Sequence, residues 1–306
     1  MNRTATKIFF CLLLIMSLCA ESRGEIRLGV LPFVSRSNEV SAKQASQVTE
    51  MVIRNLHSSP SMLITERERL RTVAAEQGFN FSSGVFDQDT AVKVGSIAGC
   101  QYILFGAVRQ ITERFLTESF LLSSKALKET SAVIEARVID VATRRVVLSV
   151  SESGSFTEIQ KERLYSSNNR RAALEIAASG VCDKILAVLA GEYPAVISVR
   201  KNKIRINRGR NSGINAGTLY RVYQEVGNSE GKKSISIAVI RVTDVQSGFC
   251  TAEIIKPDIA AGKDKKKTVK EKNNTLSELK LIKEGDKVEI ISFSEAEKIK
   301  LSSQRI

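Results

Sequence analysis

Histidine and cysteine could carry nucleophilic or metal-dependent chemistry, and this chain has very few of either. It contains one histidine, His57, and five cysteines, at positions 11, 19, 100, 182 and 250. No two cysteines have the CxxC spacing of a redox or zinc motif, and no serine or cysteine can be assigned to His57 as a nucleophile. The sequence therefore predicts no catalytic site, no metal site and no cofactor.

Acidic side chains offer a second kind of chemistry, since hydrolysis of a glycosidic bond needs two carboxylates that flank a cleft. No such pair can be placed from the sequence. The charged run Glu66–Arg69 opens a helix, where acids offset the helix dipole and commonly face water. His57 ends another helix, where a cation is favourable. We expect both features to be structural.

The first twenty residues have the pattern of a secretion signal. Arg3 and Lys7 precede an uncharged, largely apolar run over residues 8–20, which has the length of a signal-peptide core and is short for a membrane span. We interpret residues 1–20 as a signal peptide and expect the mature chain to be exported. No later stretch is apolar over the roughly 18 residues that a membrane helix needs.

Processing of this segment could follow two routes. Ala20 and Ser22 give the best small-residue pair for ordinary cleavage, and cleavage after Gly24 also fits. The alternative is cleavage by a lipoprotein peptidase and lipidation of Cys19, although Leu18 is bulky for such a site.

Size and charge indicate two domains of different character. The 306 residues are 43% hydrophobic and 26% charged, which suits folded domains rather than a disordered chain. The net charge is +13, yet residues 194–306 carry 23 basic and 13 acidic side chains, against 23 and 20 in residues 1–193. The cysteines left after export are too few for a disulfide scaffold, so we expect buried free thiols.

Residues 25–192 alternate strand and helix patterns and predict a three-layer α/β domain. The aliphatic run at residues 26–33 predicts a buried strand. Ser41–Gln44 has the spacing of a capping box, and Thr65–Glu68 repeats that spacing before a second helix. The remaining elements are a helix over residues 88–98, a buried strand over 102–108, antiparallel strands up to 150 and a long helix over 170–189.

Several short motifs in this domain resemble, in their order, the CsgG family, named for the curli secretion component of the bacterial outer membrane. These motifs are Val30–Phe33, Glu66–Arg67 with Leu70, Glu76–Gln77, Gly95 with Gly99 and Gly106, Ala136–Asp140, and Thr143. The resemblance implies a periplasmic protein that packs against itself or other envelope proteins, with Glu66, Arg67 and Gln77 in subunit contacts. Arg144 departs from the family pattern, which usually has glycine in this turn.

The curli component carries two long inserted hairpins that assemble into an outer-membrane pore, and the equivalent segments differ here. A lipid-facing strand needs an apolar residue at every second position. Residues 109–131 are interrupted by charges such as Arg114 and Lys128, and residues 154–170 contain the charged run 158–163. We therefore expect the chain to lack the pore-forming hairpins, which argues against a role in protein export.

Residues 193–306 predict a small all-β, barrel-like domain, because short strands alternate with turn signals. Two glycine turns, at residues 211–217 and 283–288, each lead into a strand. Their pattern resembles the C-terminal domain of the flagellar assembly protein FlgT. The first turn is not a phosphate loop, since it opens a strand and no Gly-Lys-Ser/Thr follows.

Residues 261–274 are rich in lysine and lack hydrophobic periodicity, which predicts an exposed loop. The lysines are Lys263, Lys265, Lys266, Lys267, Lys270 and Lys272. Such a loop would either bind an anionic outer-membrane or cell-wall surface, at about 1 kcal/mol per close charge, or simply be solvated. A nucleic-acid partner is disfavoured, because the loop has no aromatic residues for stacking.

Together these features favour a non-enzymatic assembly or scaffold component of the periplasm, associated with the outer membrane and oligomeric. A flagellar assembly role is one alternative, and it follows only from the C-terminal resemblance. An accessory regulator of an envelope enzyme, such as a peptidoglycan synthase activator, is another, but the long flexible spacer that would favour it is absent. An enzyme that acts on envelope polymers is disfavoured for want of paired carboxylates.

Overall fold

The computed structural model describes residues 25–78, 88–120, 123–159, 168–201, 203–228, 231–255, 281–291 and 295–296. Four helices and two six-stranded sheets account for most of these residues. Within these ranges, no helix has both the length and the apolar character that crossing a membrane requires. The signal peptide, Cys19 and the lysine-rich loop 261–274 lie outside the described residues.

The N-terminal part of the structure is a mixed sheet with its helices. Its elements are β1 Ile26–Val30, β2 Val34–Ser35, α1 Ala42–His57, β3 Met62–Thr65, α2 Arg67–Glu76, α3 Gln88–Ala98, β4 Tyr102–Phe120, β5 Ser123–Asp140, β6 Val146–Ile159 and α4 Asn168–Leu189. The sheet order is β3-β1-β4-β5-β6, with β2 beside β4. β1 is parallel to β3 and β4, whereas β4, β5 and β6 are antiparallel, as the sequence predicts for the later strands.

Helices cover both faces of this sheet. On one face, α1 and α4 contribute Val52 and Val181 to a single buried cluster with the strands. On the other face, α2 and α3 contribute Leu70 and Val94, which surround Ile103 of β4. Each fully buried aliphatic side chain of this kind stabilises the fold by about 1.5–3 kcal/mol. The sheet therefore lies between two helical layers.

The starts of α1 and α2 differ in how they are capped. The capping box predicted at Ser41–Gln44 is confirmed, with both of its hydrogen bonds formed. The capping box predicted at Thr65–Glu68 is wrong, because Glu66 is the N-cap and makes no side-chain capping bond. The Thr65 hydroxyl instead lies 3.2 Å from the sulfur of Cys100, so a tertiary contact has replaced the local one.

The turn between β5 and β6 explains the departure at Arg144. This residue has φ 57°, in the left-handed region that favours glycine. The turn is held by Thr143, whose backbone N–H donates to Asp140 Oδ1 over 2.8 Å. This bond is the main reason that the pKa of the Asp140 carboxyl lies below its usual value. The turn thus forms without the glycine, at the cost of backbone strain in Arg144.

The C-terminal part is an antiparallel sheet. Its strands are β7 Val196–Arg200, β8 Lys203–Ile206, β9 Leu219–Asn228, β10 Gly231–Val245, β11 Cys250–Ile254 and β12 Lys287–Ile291. They are arranged in the order β12-β9-β10-β11-β8-β7. The two end strands approach each other at a bridge between Ala195 and Lys287. In the described residues this bridge does not extend into a ladder, so the sheet is not a closed barrel and the barrel-like prediction is not confirmed.

Candidate interaction surfaces

The three residues that the family resemblance singles out do not form one site. Glu66 and Gln77 are the exposed N-cap and C-cap of α2, which places them roughly 16 Å apart along the helix axis. Arg67 is the first residue of α2, and its side chain lies outside the described part of the structure. Their role in subunit packing stays a prediction.

Gln77 does line an open cleft of about 920 Å³, which lies where β1 and β4 begin and β5 ends. Its charged lining residues are Lys93, Asp140 and Arg144. Among the described residues that line the cleft, Asp140 is the only carboxylate.

A buried ion pair joins the two parts of the chain. Arg208, just after β8, donates from Nε to Oδ1 of Asp183 in the middle of α4, over 2.6 Å. Both side chains are about nine-tenths buried. Burial raises the pKa of the Asp183 carboxyl, and the neighbouring Arg208 acts in the opposite direction. The sequence patterns did not predict this contact. It links α4, which packs on the first sheet, to the second sheet.

Further polar contacts surround this pair. Lys184 Nζ donates to Glu289 Oε1 of β12 over 2.9 Å, and Arg221 of β9 binds the other oxygen of the same carboxylate. Burial opposes ionisation of Glu289, but these two cations prevail and hold its pKa below the usual value. Asn215 donates to Glu175 of α4 over 3.0 Å. The junction therefore consists of charge-assisted hydrogen bonds around a buried centre.

The first glycine turn takes part in this junction. Gly213 and Gly217 have φ 74° and 89°, which agrees with the structural role predicted for the turn. A Cβ atom on Gly213 would lie 2.9 Å from the side-chain amide of Asn55 in α1. The positive φ of Gly213 favours glycine, and the Asn55 side chain leaves little room for a Cβ atom, so this turn packs closely against α1.

Residues 109–120 and 123–131 belong to two long paired strands, β4 and β5, which are called the hairpin below. β4 and β5 pair without a break in strand structure from Tyr102↔Asp140 to Phe120↔Ser123, with one register shift near Val108. Pairing places Glu113 opposite Thr130 and Arg114 opposite Glu129, so charged residues occur on both faces of the hairpin. This distribution agrees with the interruptions expected from the sequence.

The hairpin is anchored to the start of α4 by charged groups. Glu113 accepts hydrogen bonds from Lys128 over 2.8 Å and from Arg170 over 2.9 Å. These bonds hold the pKa of the Glu113 carboxyl below its usual value. Asn169 donates to Glu158 of β6 over 2.8 Å. The second segment of interest, residues 154–170, therefore supplies the end of β6 and the start of α4, and its residues 160–167 lie outside the described part.

The described residues include three of the five cysteines. Cys100, Cys182 and Cys250 are buried free thiols, as expected. Burial raises the pKa of Cys182 well above its ordinary value and that of Cys250 to about 12, so both remain protonated at neutral pH. In the described ranges, His, Cys, Asp and Glu side chains form no group of three or more that could hold a metal ion.

Comparisons with known proteins support the family resemblance of the N-terminal part. The family model for the curli production assembly/transport component CsgG matches residues 16–167. Curated protein sequences give no match. The resemblance of the C-terminal part to FlgT stays a prediction.

Solved structures show limited likenesses. The LpoB C-terminal domain from Salmonella enterica is 14% identical with a TM-score of 0.32, over 45% of this chain and 88% of that chain. The hypothetical protein CT253 from Chlamydia trachomatis is 13% identical with a TM-score of 0.38, over 55% and 100%. The PelC dodecamer from Paraburkholderia phytofirmans is 17% identical with a TM-score of 0.27, over 56% and 90%. The relationship that the comparisons support is the similarity of residues 16–167 to the CsgG family.

Proposed function

We propose that this chain is a non-enzymatic scaffold or assembly component of the periplasm, associated with the outer membrane and related to the CsgG family. The match of the family model to residues 16–167 carries the proposal. The predicted signal peptide supports it, since export would bring the chain to that compartment. Under this proposal the chain works by binding other envelope macromolecules.

The junction between the two sheets supports a scaffold role. A buried charge pair loses much of its stabilisation when its partners separate, so Asp183 and Arg208 favour one fixed arrangement of the two parts. In a fixed arrangement, the surface of the N-terminal part and the surface of the C-terminal part keep a constant distance and orientation for their partners. Two binding surfaces at a constant separation are what an assembly component needs to bring partners together.

The distribution of charged residues on the hairpin argues against a pore. Pairing places the charged residues Glu113 and Lys128 on one face and Arg114 on the other. A lipid-facing strand would keep one face apolar over about 9–11 residues. We therefore propose that this hairpin extends a binding surface in the periplasm and does not enter the lipid.

Envelope fractionation combined with chemical cross-linking tests the proposal. A C-terminally tagged chain, expressed in the cells that encode it, should be found in the outer-membrane fraction without its first twenty or so residues. After cross-linking, the tag should move to species heavier than the chain. Recovery of the uncross-linked chain from the cytosol, with its N-terminal segment intact, would contradict the proposal.

A further inference from the structure

The turn between β7 and β8 carries a cluster of positive charge. Arg200, Lys201, Lys203 and Arg205 lie within six residues, and neither strand contains an acidic residue. All four side chains are exposed. Among the described residues, none of the four forms an ion pair. We call these four residues the basic patch.

Three members of the basic patch share the outer face of the second sheet. Ile204 and Ile206 of β8 are buried in the core of this sheet, so Lys203 and Arg205, which alternate with them, point outward. Pairing places Arg200 of β7 directly opposite Lys203. The three cations therefore stand side by side on one surface.

The neighbouring strands offset this charge only in part. Glu253 of β11 lies beside Lys203, and on its other side it pairs with Arg241 of β10, which is a further exposed cation. Asp244 of β10 is a second nearby acid, and it accepts a hydrogen bond from Gln246 over 2.9 Å. The outer face keeps an excess of positive charge.

Two features of the basic patch cost stability. Opposed like charges on neighbouring strands destabilise a sheet, and Arg200 and Lys203 are opposed in this way. Lys201 has φ 55°, in the left-handed region where a residue other than glycine is strained. Residues that break such local rules cluster at functional sites. The patch therefore indicates a ligand of negative charge.

Arg205 is held in place by an aromatic ring. Its guanidinium carbon lies 3.8 Å from the centroid of the Phe249 ring. This stacking covers one face of the guanidinium and leaves the N–H groups at its edge to bind anionic oxygens. Because the ring is already covered by Arg205, it does not offer a platform for a nucleic-acid base.

We propose that the basic patch binds the anionic phospholipid surface of a membrane. This inference rests on the proposed association with the outer membrane and names the surface that makes the contact. Side chains on one sheet face stand parallel and do not converge on a point, so they suit an array of phosphate headgroups better than a single small anion. Ile197 of β7 is 43% exposed, and an apolar side chain beside cations is typical of surfaces at a membrane interface.

Vesicle binding tests this surface directly. The purified chain with a C-terminal tag should bind vesicles of phosphatidylglycerol and phosphatidylethanolamine far more tightly than vesicles of phosphatidylcholine. The double variant Arg200→Gln with Lys203→Gln should weaken this binding about 25-fold, at about fivefold per removed cation. The matched control is Lys43→Gln with Lys93→Gln, which removes two exposed lysines from helices of the N-terminal part. It changes the net charge equally and should leave binding nearly unchanged.

Stability measurements distinguish a binding role from a structural one. Removing two opposed cations relieves their repulsion, so the Arg200→Gln and Lys203→Gln double variant should unfold at the same urea concentration as the parent, or at a higher one. A lower midpoint would show that the two cations stabilise the fold, and it would overturn the inference.

Two further measurements identify the class of ligand. Inorganic phosphate should displace the chain from the anionic vesicles no better than sodium chloride at equal ionic strength, because both act by screening. Preferential displacement by phosphate would indicate a site for a single anion. Binding to insoluble peptidoglycan without binding to vesicles would indicate a cell-wall ligand. Either result would overturn the lipid assignment.

The outcomes separate this inference from the proposed function. Equal vesicle binding by the two double variants would overturn the role of the basic patch, whereas recovery of the chain in the outer-membrane fraction would still support the proposed function. A chain that binds vesicles through the patch but stays in the cytosol, with its N-terminal segment intact, would support the patch and contradict the proposed function.

Discussion

Arg208 Nε lies 2.6 Å from Asp183 Oδ1, and this buried contact joins the second sheet to the central part of α4. The charges are separated from water, so each depends on the other for its stability. The pair is the most buried ion pair among the described residues that also connects the two parts of the chain. Its removal is therefore the clearest way to test how the parts are held together.

Asp183→Ala should lower the free energy of unfolding by about 3–5 kcal/mol, because Arg208 is left buried without its anion. Urea denaturation followed by circular dichroism would measure this change. Arg54→Ala is the matched control, since Arg54 is half-exposed and its 3.7 Å contact with Glu175 should contribute at most about 1 kcal/mol. Equal losses in the two variants would contradict the account.

Replacing both partners separates the lost charge from lost packing. The double variant Asp183→Leu with Arg208→Met should recover most of the stability that Asp183→Ala loses, because no unpaired charge remains. A double variant as unstable as Asp183→Ala would indicate that the shape of the junction, rather than its charge, is responsible.

Gly154→Ala should destabilise the packing of β6 against α4. A Cβ atom at Gly154 would lie 2.3 Å from both Ala173 O and Ala177 N, which are backbone atoms of the helix. Overpacking of this kind costs about 1–3 kcal/mol, measurable as a lower thermal midpoint. Gly248→Ala is the control, since nothing lies within 4 Å of its added methyl group. A Gly154→Ala variant as stable as this control would show that α4 can move away from β6 freely.

Arg144→Gly should stabilise the chain by about 0.5–1 kcal/mol, because glycine adopts a positive φ without the steric cost that arginine pays. Urea unfolding would show this as a higher midpoint with an unchanged slope. Arg145→Gly, one residue later and without a positive φ, should instead be neutral or destabilising. The opposite order would mean that Arg144 makes a compensating contact.

Glu113→Gln should reduce stability at neutral pH and have little effect in acid. Hydrogen bonds from Lys128 and Arg170 lower the pKa of this carboxyl in the folded state. A lowered pKa contributes stability that is present above the unfolded pKa and is lost as pH falls through the folded value. Urea unfolding at about pH 7 and about pH 3 should therefore show a difference from the parent only at the higher pH.

Glu39→Gln removes an exposed loop carboxylate and is the control for this pH series. Its effect on the free energy of unfolding should be small at both pH values. If Glu113→Gln behaves in the same way, the charged contacts at the base of the hairpin do not stabilise the fold.

Local patterns predicted most of the secondary structure. The helix from residue 88 to 98 has the expected bounds, and the buried strand predicted from residue 102 begins at Tyr102. These elements have strong periodicity and clear turn signals, which act over a few residues. The capping box at Thr65 failed for the opposite reason, since its hydroxyl is used by Cys100, 35 residues further along the chain.

The junction could not be predicted from such patterns. Asp183 follows a buried cysteine on a helix and has the spacing of a solvent-facing polar residue, yet it is covered by Arg208 from another part of the fold. Helical periodicity reports which face is apolar and carries no information about a distant polar partner. The strand order of the first sheet could not be predicted for a similar reason, because it depends on pairing across the whole sheet.

In-cell cross-linking from Ser151 tests the central claim most directly, namely that this chain works by contact with envelope macromolecules. A photo-reactive amino acid placed at residue 151 would be activated in intact cells, and the products would be separated by envelope fractionation. The account predicts a cross-linked species in the outer-membrane fraction, with the mass of two chains or of one chain and a partner. An uncross-linked monomer in the soluble cytosolic fraction would contradict it.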